Sequence, residues 1–102
     1  MGVRANSLDD LLLIFDVGSS ALKAVLFSRA GAVVAAASSP VPTATTTDRS
    51  AEQNVEDWWK AALAATATLP RREHVTAIAL TGSMQNLIAL SDDGTPLGPA
   101  VL

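Results

Sequence analysis

Five apolar residues, Leu11-Leu12-Leu13-Ile14-Phe15, run directly into a carboxylate, Asp16. An unbroken apolar run of this length reads as a strand, Leu11–Asp16, buried on both faces at the centre of a sheet. A carboxylate is costly to desolvate without a partner, so the acid at its end calls for a binding partner nearby. Val17–Ser20, "VGSS", follows as a tight turn built on a permissive Gly. Leu22–Ser28 then reads as a second strand, Ser28–Gly31 as a second hairpin turn and Val33–Ser39 as a third strand. Three strands joined by short turns predict an antiparallel meander.

Pro40–Gln53 is Pro- and Thr-rich, with low complexity over Thr43–Thr47, and is expected to be loop. Asn54–Leu69 reads as a helix, with Asn54 as N-cap, Glu56 and Asp57 at its positive end and Pro70 just beyond it. Its expected buried stripe is Val55, Trp58, Trp59, Ala62, Leu63, Thr66 and Leu69, with both tryptophans in the core and Glu56 pairing with Lys60 on the other side. Full burial of Trp58 would make its truncation to Ala cost about 3–5 kcal/mol. Val75–Gly82 is a fourth strand, which after a helix should pair parallel with the first. Shorter apolar pieces, Asn86–Leu90 and Ala100–Leu102, flank the turn Ser91–Pro96. The order strand, strand, strand, helix, strand resembles the α/β ribonuclease H-like layout of actin-like ATPases, in an incomplete form.

At 102 residues the chain is one small domain or part of one. Apolar residues make up 49%, but much of that is Ala, which limits the core. A net charge of −3 and seven scattered basic residues argue against nucleic acid as a partner. With no Cys and one His, His74, neither a disulfide nor a thiolate or His-based metal site can form. The apolar stretch within Leu8–Val17 is too short to span a bilayer, so no membrane association is expected. No secretory signal is evident. A cytoplasmic location is expected, with residues 1–10 a flexible leader and 11–102 the folded part.

The hairpin tip at Gly18, Ser19 and Ser20 offers backbone N–H groups to phosphate oxygens. Asp16 beside it can hold a hydrated Mg²⁺, and Lys23 adds a positive charge. The bland alternative is a plain hairpin in which Asp16 bonds to the turn's own amides. It leaves unexplained why the acid ends the most apolar strand. A second small-residue turn, Leu80–Asn86, ends the strand expected beside the first, and ligands collect at the carboxyl ends of adjacent parallel strands. Asp16 and Thr81–Gln85 should therefore share one cleft, with Met84 as an apolar wall and Gln85 able to bond hydroxyls.

The segments "FDVGSSALKAVLFSRAGAVVAAASSPVPT", "AEQNVEDWWKAALAA" and "VTAIALTGSMQNLIALSDDGTPLGPAVL" together resemble the start of an FGGY-family carbohydrate kinase of xylulokinase or gluconokinase type. The likeness runs from about Leu12 to Leu102. It implies ATP and Mg²⁺ as cofactors and transfer of the γ-phosphoryl group to a sugar or polyol hydroxyl, a xylulose-like sugar being the expected acceptor. It assigns Asp16 to Mg²⁺, Gly18, Ser19, Ser20 and Lys23 to the ATP phosphates, and Gly82, Ser83, Met84 and Gln85 to the sugar. Gly82-Ser83-Met84-Gln85 stands where xylulokinases carry Gly-Gln-Met-His, so Gln85 replaces a His. Arg49-Ser50 stands for the family's Gly-Trp, and Asn54-Val55 for its Asp-Pro.

The family's catalytic-base Asp and second nucleotide-binding domain are expected beyond Leu102. On this reading residues 11–102 are the N-terminal part of the kinase's N-terminal domain, and the missing C-terminal part is its partner. The chain alone is expected to be inactive, since losing a general base commonly costs about 10²–10⁴-fold. Two other readings remain at this stage. One is a non-catalytic domain that binds a sugar or a partner protein. The other is a metal nuclease on the same scaffold, which needs several converging carboxylates and finds Asp16 with Glu52 or Glu56 as its only candidates.

Overall fold

The computed structural model describes residues 10–83 and 86–102. Strands β1 (Leu11–Val17), β2 (Ala21–Phe27) and β3 (Val33–Pro40) form the expected antiparallel meander. Two short strands follow, β4 (Ala44–Thr45) and β5 (Ala51–Gln53), then helix α1 (Val55–Ala67). A single 3-10 turn at Arg72–His74 leads into β6 (Val75–Gly82), and β7 (Ala100–Val101) ends the chain. The main sheet has the order β3-β2-β1-β6, with β6 parallel to β1 as expected. The small second sheet has the order β4-β5-β7.

Alternation along β1 sends Leu11, Leu13, Phe15 and Val17 to one face. That face, with Leu22, Ala24 and Leu26 of β2, meets Ala61, Ala65 and Leu69 to make the core. Helix α1 lies over β2 and β3. The expectation that β1 is buried on both faces is corrected: Leu12, Ile14 and Asp16, on the other face, are half-buried. Among the described residues one helix packs against this sheet, and it covers one side only.

Asn54 caps the helix, its side-chain oxygen accepting from the Glu56 N–H at 3.0 Å. At the other end Arg72 Nη1 donates at 3.0 Å to the carbonyl of Ala67, the last helical residue, and at 3.2 Å to that of Leu69 just beyond it. The buried stripe is narrower than expected. It runs through Trp58, Ala61, Ala62, Ala65 and Leu69, whereas Trp59 and Leu63 are exposed. The alanines let the helix backbone lie close to the sheet, and this turns Trp59 outward. Glu56 and Lys60 are both exposed and form no ion pair.

Pro40–Gln53 is also more ordered than expected of a loop. It holds a β4–β5 hairpin whose turn bonds Thr46 N–H to Ser50 C=O at 2.8 Å and Arg49 N–H to Thr46 C=O at 3.0 Å. No helix of the described residues is long and apolar enough to cross a membrane.

Candidate phosphate and sugar site

Strand register assembles the site. Asp16, one residue before the end of β1, stands opposite Lys23 of β2 and beside Thr81 of β6. Lys23 in turn stands opposite Ser38 of β3. Register partners share a face, so Ser38, Lys23, Asp16 and Thr81 form one polar row across all four strands. The row crosses the sheet on the face away from α1, at the carboxyl end of the parallel β1–β6 pair.

Asp16 makes no hydrogen bond or ion pair with the described residues. The plain-hairpin alternative, in which its carboxylate is satisfied by the turn, is therefore not what the chain adopts. Lys23, across the ladder, forms no ion pair with it either, so both charges remain available to a ligand.

The Val17–Ser20 turn is closed by a single bond, Gly18 N–H to Ala21 C=O at 3.0 Å. This corrects one detail of the phosphate cradle: the Gly18 amide is used by the fold, and only those of Ser19 and Ser20 stay unbonded among the described residues. Gly18 serves sterically instead, because a Cβ there would lie 3.0 Å from the Ala21 carbonyl oxygen. Neither serine takes the positive φ that two-residue hairpin loops normally use. The tip is fixed from outside. Val41 N–H donates to Ser20 C=O at 2.9 Å, and Gln53 Nε2 donates to Ser19 C=O at 2.7 Å.

Gln53 is the residue that the sequence did not single out. It is 2% exposed, and its side chain is fully engaged. Nε2 also donates to Thr43 Oγ1 at 3.0 Å, while Oε1 accepts from Trp58 Nε1 at 2.8 Å. A polar residue in a loop reads as solvated. The one available signal was its position, immediately before the N-cap and five residues ahead of an indole.

A cavity of about 220 Å³ opens where β1 and β6 end, lined by Val17, Trp58, Thr81, Gly82, Ser83, Asn86 and Ile88. Ser83 N–H donates to Val17 C=O at 3.0 Å, prolonging the β1–β6 ladder into the bend. Asn86 Nδ2 donates to Ser83 Oγ at 2.9 Å. An indole face with hydroxyl and amide groups around it suits a polyhydroxylated ligand, whose C–H groups pack on the ring while its hydroxyls bond to the rim. The structure thus brings Gly82 and Ser83 together with Trp58 and the end of β1. Met84 and Gln85, the other two expected sugar contacts, lie outside the described residues. A larger cavity, about 450 Å³, lies between the start of α1 and Thr95–Pro99 and contains none of the residues expected at the phosphates or the sugar.

Among the described residues no three His, Asp or Glu side chains converge on a common point. Mg²⁺ fits such a site better than a metal that needs an all-protein cage, because it is commonly held by one or two carboxylates plus substrate phosphates. Asp16 offers one unengaged carboxylate of that kind, three residues ahead of the Ser19 amide. The two-metal nuclease reading requires a carboxylate cluster that is not found there.

Residues 11–102 match the family model described as the N-terminal domain of the FGGY family of carbohydrate kinases. The gluconokinase of Bacillus subtilis (strain 168) is 32% identical over 93 residues, covering 88% of this chain and 18% of that protein. The xylulose kinase of Staphylococcus xylosus is 30% identical over 90 residues, covering 85% of this chain and 19% of that protein. Among solved structures, the xyloylose kinase from Brucella ovis superposes with a TM-score of 0.84 at 29% identity, over 90% of this chain and 20% of that one. The chain therefore spans about a fifth of the length of the proteins it matches.

Proposed function

The chain belongs to the FGGY family of carbohydrate kinases, with their actin-like ATPase fold, and from that membership we propose that its residues serve ATP-dependent phosphorylation of a sugar or polyol. In this reading residues 11–102 are the N-terminal part of the kinase's N-terminal domain. Asp16 holds Mg²⁺, and the turn at Gly18, Ser19 and Ser20 receives the ATP phosphates with Lys23 adding charge. Gly82, Ser83, Met84 and Gln85 receive the sugar, joined by Trp58 and Asn86 from the cavity wall. Bound Mg²⁺ supplies charge neutralisation on the phosphate oxygens.

Phosphoryl transfer asks little covalent chemistry of the protein, so positioning and charge dominate. The acceptor hydroxyl forms the new O–P bond, the bond to the departing ADP oxygen breaks, and the hydroxyl proton passes to a base. Among the described residues no carboxylate lines the Trp58 cavity, so in this reading the base comes from another part of the kinase. The chain by itself should show no measurable turnover. A pentulose and gluconate are the acceptors suggested by the two curated relatives' names, with Gln85 able to bond a hydroxyl where xylulokinases use His.

The observation that carries this reading is the unengaged Asp16 carboxylate at the strand end, beside the unbonded Ser19 and Ser20 amides. Calorimetric titration of the chain with ATP, with and without Mg²⁺, tests it. Weak binding that strengthens with Mg²⁺, and loses that dependence in Asp16→Asn, is expected. Binding in the wild type that is indifferent to Mg²⁺ would remove Asp16 from the site, and submicromolar affinity would contradict the view that the nucleotide site is incomplete.

A further inference from the structure

The Ser19 carbonyl and the Ser20 N–H are opposite ends of one planar trans peptide group. Gln53 Nε2 bonds the carbonyl end at 2.7 Å from the protein interior. The N–H end therefore points the other way, out of the interior, at a residue that is exposed. Because the turn lacks the backbone angles that would lock it, this peptide plane has no stronger determinant among the described residues than the Gln53 bond. Gln53 is in turn held by Trp58 Nε1 at 2.8 Å, and Trp58 lines the cavity at the strand ends.

From this chain of bonds we infer that Gln53 is a positioning residue, which aims the Ser20 amide at phosphate and couples that amide to the indole wall of the sugar cavity. The inference rests on the reading of the 18–20 turn as a phosphate site. Donation to the Ser19 carbonyl polarises the whole peptide group and makes its N–H a better donor, as expected for hydrogen bonds in series. The Gln53 amide carries the same polarisation one step further. Strengthening at Ser19 makes Oε1 a better acceptor for the Trp58 indole N–H. Thr43 Oγ1, at 3.0 Å from Nε2, keeps the amide from rotating about its last torsion. Gln53 itself is 2% exposed, and no buried side-chain polar atom among the described residues lacks a partner.

The test uses the ¹⁵N-labelled 102-residue chain titrated with inorganic tripolyphosphate in the presence of Mg²⁺. The Ser19 and Ser20 amide resonances and the Trp58 indole N–H resonance should move together along one binding curve. Gln53→Glu keeps the size of the side chain but removes the donor facing Ser19. It should weaken binding by about 3–10-fold and leave the indole silent. Trp58→Phe, which keeps a ring on the helix and removes only the indole donor, provides a second reading should the buried charge of Gln53→Glu prevent folding. Its affinity should fall by about 2–5-fold, because Gln53 is then held by one fewer bond. Amides that respond while the wild-type indole stays still, with Trp58→Phe binding as tightly as wild type, would overturn the coupling and leave the phosphate site standing. Silence of the Ser19 and Ser20 amides would overturn the phosphate reading, and the inference with it.

Discussion

Successive residues of an α-helix are separated by about 100° around its axis, so Trp58 and Trp59 cannot both face the sheet squarely. Trp58 is half-buried against the core and bonded to Gln53, whereas Trp59 is 62% exposed. Their truncations should differ accordingly. Trp59→Ala is expected to change stability by no more than about 0.5 kcal/mol. Trp58→Phe should cost about 1–3 kcal/mol, chiefly because Gln53 Oε1 is left buried without its donor. Urea unfolding of the two variants checks both values, and equal effects would mean that the indole bond contributes nothing. Side-chain identity made Trp58 and Trp59 look alike. What separated them was Ala61 and Ala65, whose small size decides which side of the helix can approach the sheet.

At the scale of elements, one hairpin turn recurs three times among the described residues. Ser28–Ala32, Thr46–Ser50 and Ser91–Thr95 share the same pair of backbone bonds, first residue to fifth and fourth residue back to first. This is the three-residue loop in which a type I turn is followed by a left-handed residue. Gly31 and Gly94 fill that position at φ 86° and 85°, but in the middle copy it falls to Arg49 at φ 70°. The first and third turns were legible because Gly announces them, and the second was read as irregular loop because Arg does not. A left-handed L-residue costs about 1–2 kcal/mol, and Gly loses roughly 0.5–1 kcal/mol more backbone entropy. Arg49→Gly should therefore stabilise the chain by about 0.5–1 kcal/mol, read as a raised midpoint in urea.

The same turns carry a pH dependence. The Thr46 hydroxyl, and after it Ser50, bonds to the Asp48 carboxylate and lowers its pKa from 3.8 to about 2. Ser91 and Thr95 do the same for Asp93, to about 2. A carboxyl group whose pKa is depressed by folding stabilises the folded state above its unfolded value and loses that contribution as pH falls through the folded one. Stability from these turns is thus complete above 3.8 and declines toward pH 2. Asp48→Asn should flatten the dependence of the urea midpoint on pH in that window. An unchanged slope would show that the turn bonds are equally present in the unfolded chain.

For the molecule as a whole, coverage of the sheet is uneven. Helix α1 lies over β2 and β3, so β6 presents Ile78 and Leu80 on the helix side at 62% and 75% exposure. They stand beside Leu13 and Phe15 in the parallel ladder, which makes them a continuation of the core that no described residue covers. Concentration-dependent association of the 102-residue chain is expected from such a surface. The double variant Ile78→Thr, Leu80→Thr should reduce it in sedimentation velocity, with stability changed by only about 0.5 kcal/mol because neither side chain is buried. Association that persists unchanged would place the contact elsewhere.

Local patterning alone set the meander, the helix with its Asn54 cap and the parallel return of β6, because each follows from short-range chemistry: apolar runs, turn residues and cap residues. The placement of Asp16 between Lys23 and Thr81 goes with that same order of elements, so a polar row at the strand ends could be anticipated. Burial could not. Which face of β1 is covered, which tryptophan is packed and whether a loop glutamine is solvated all depend on what lies opposite in space, and no residue's own sequence neighbours specify that. Gln53 shows the difference most clearly: its partners Ser19, Thr43 and Trp58 come from three separate segments, and only the packed chain brings them within hydrogen-bond distance.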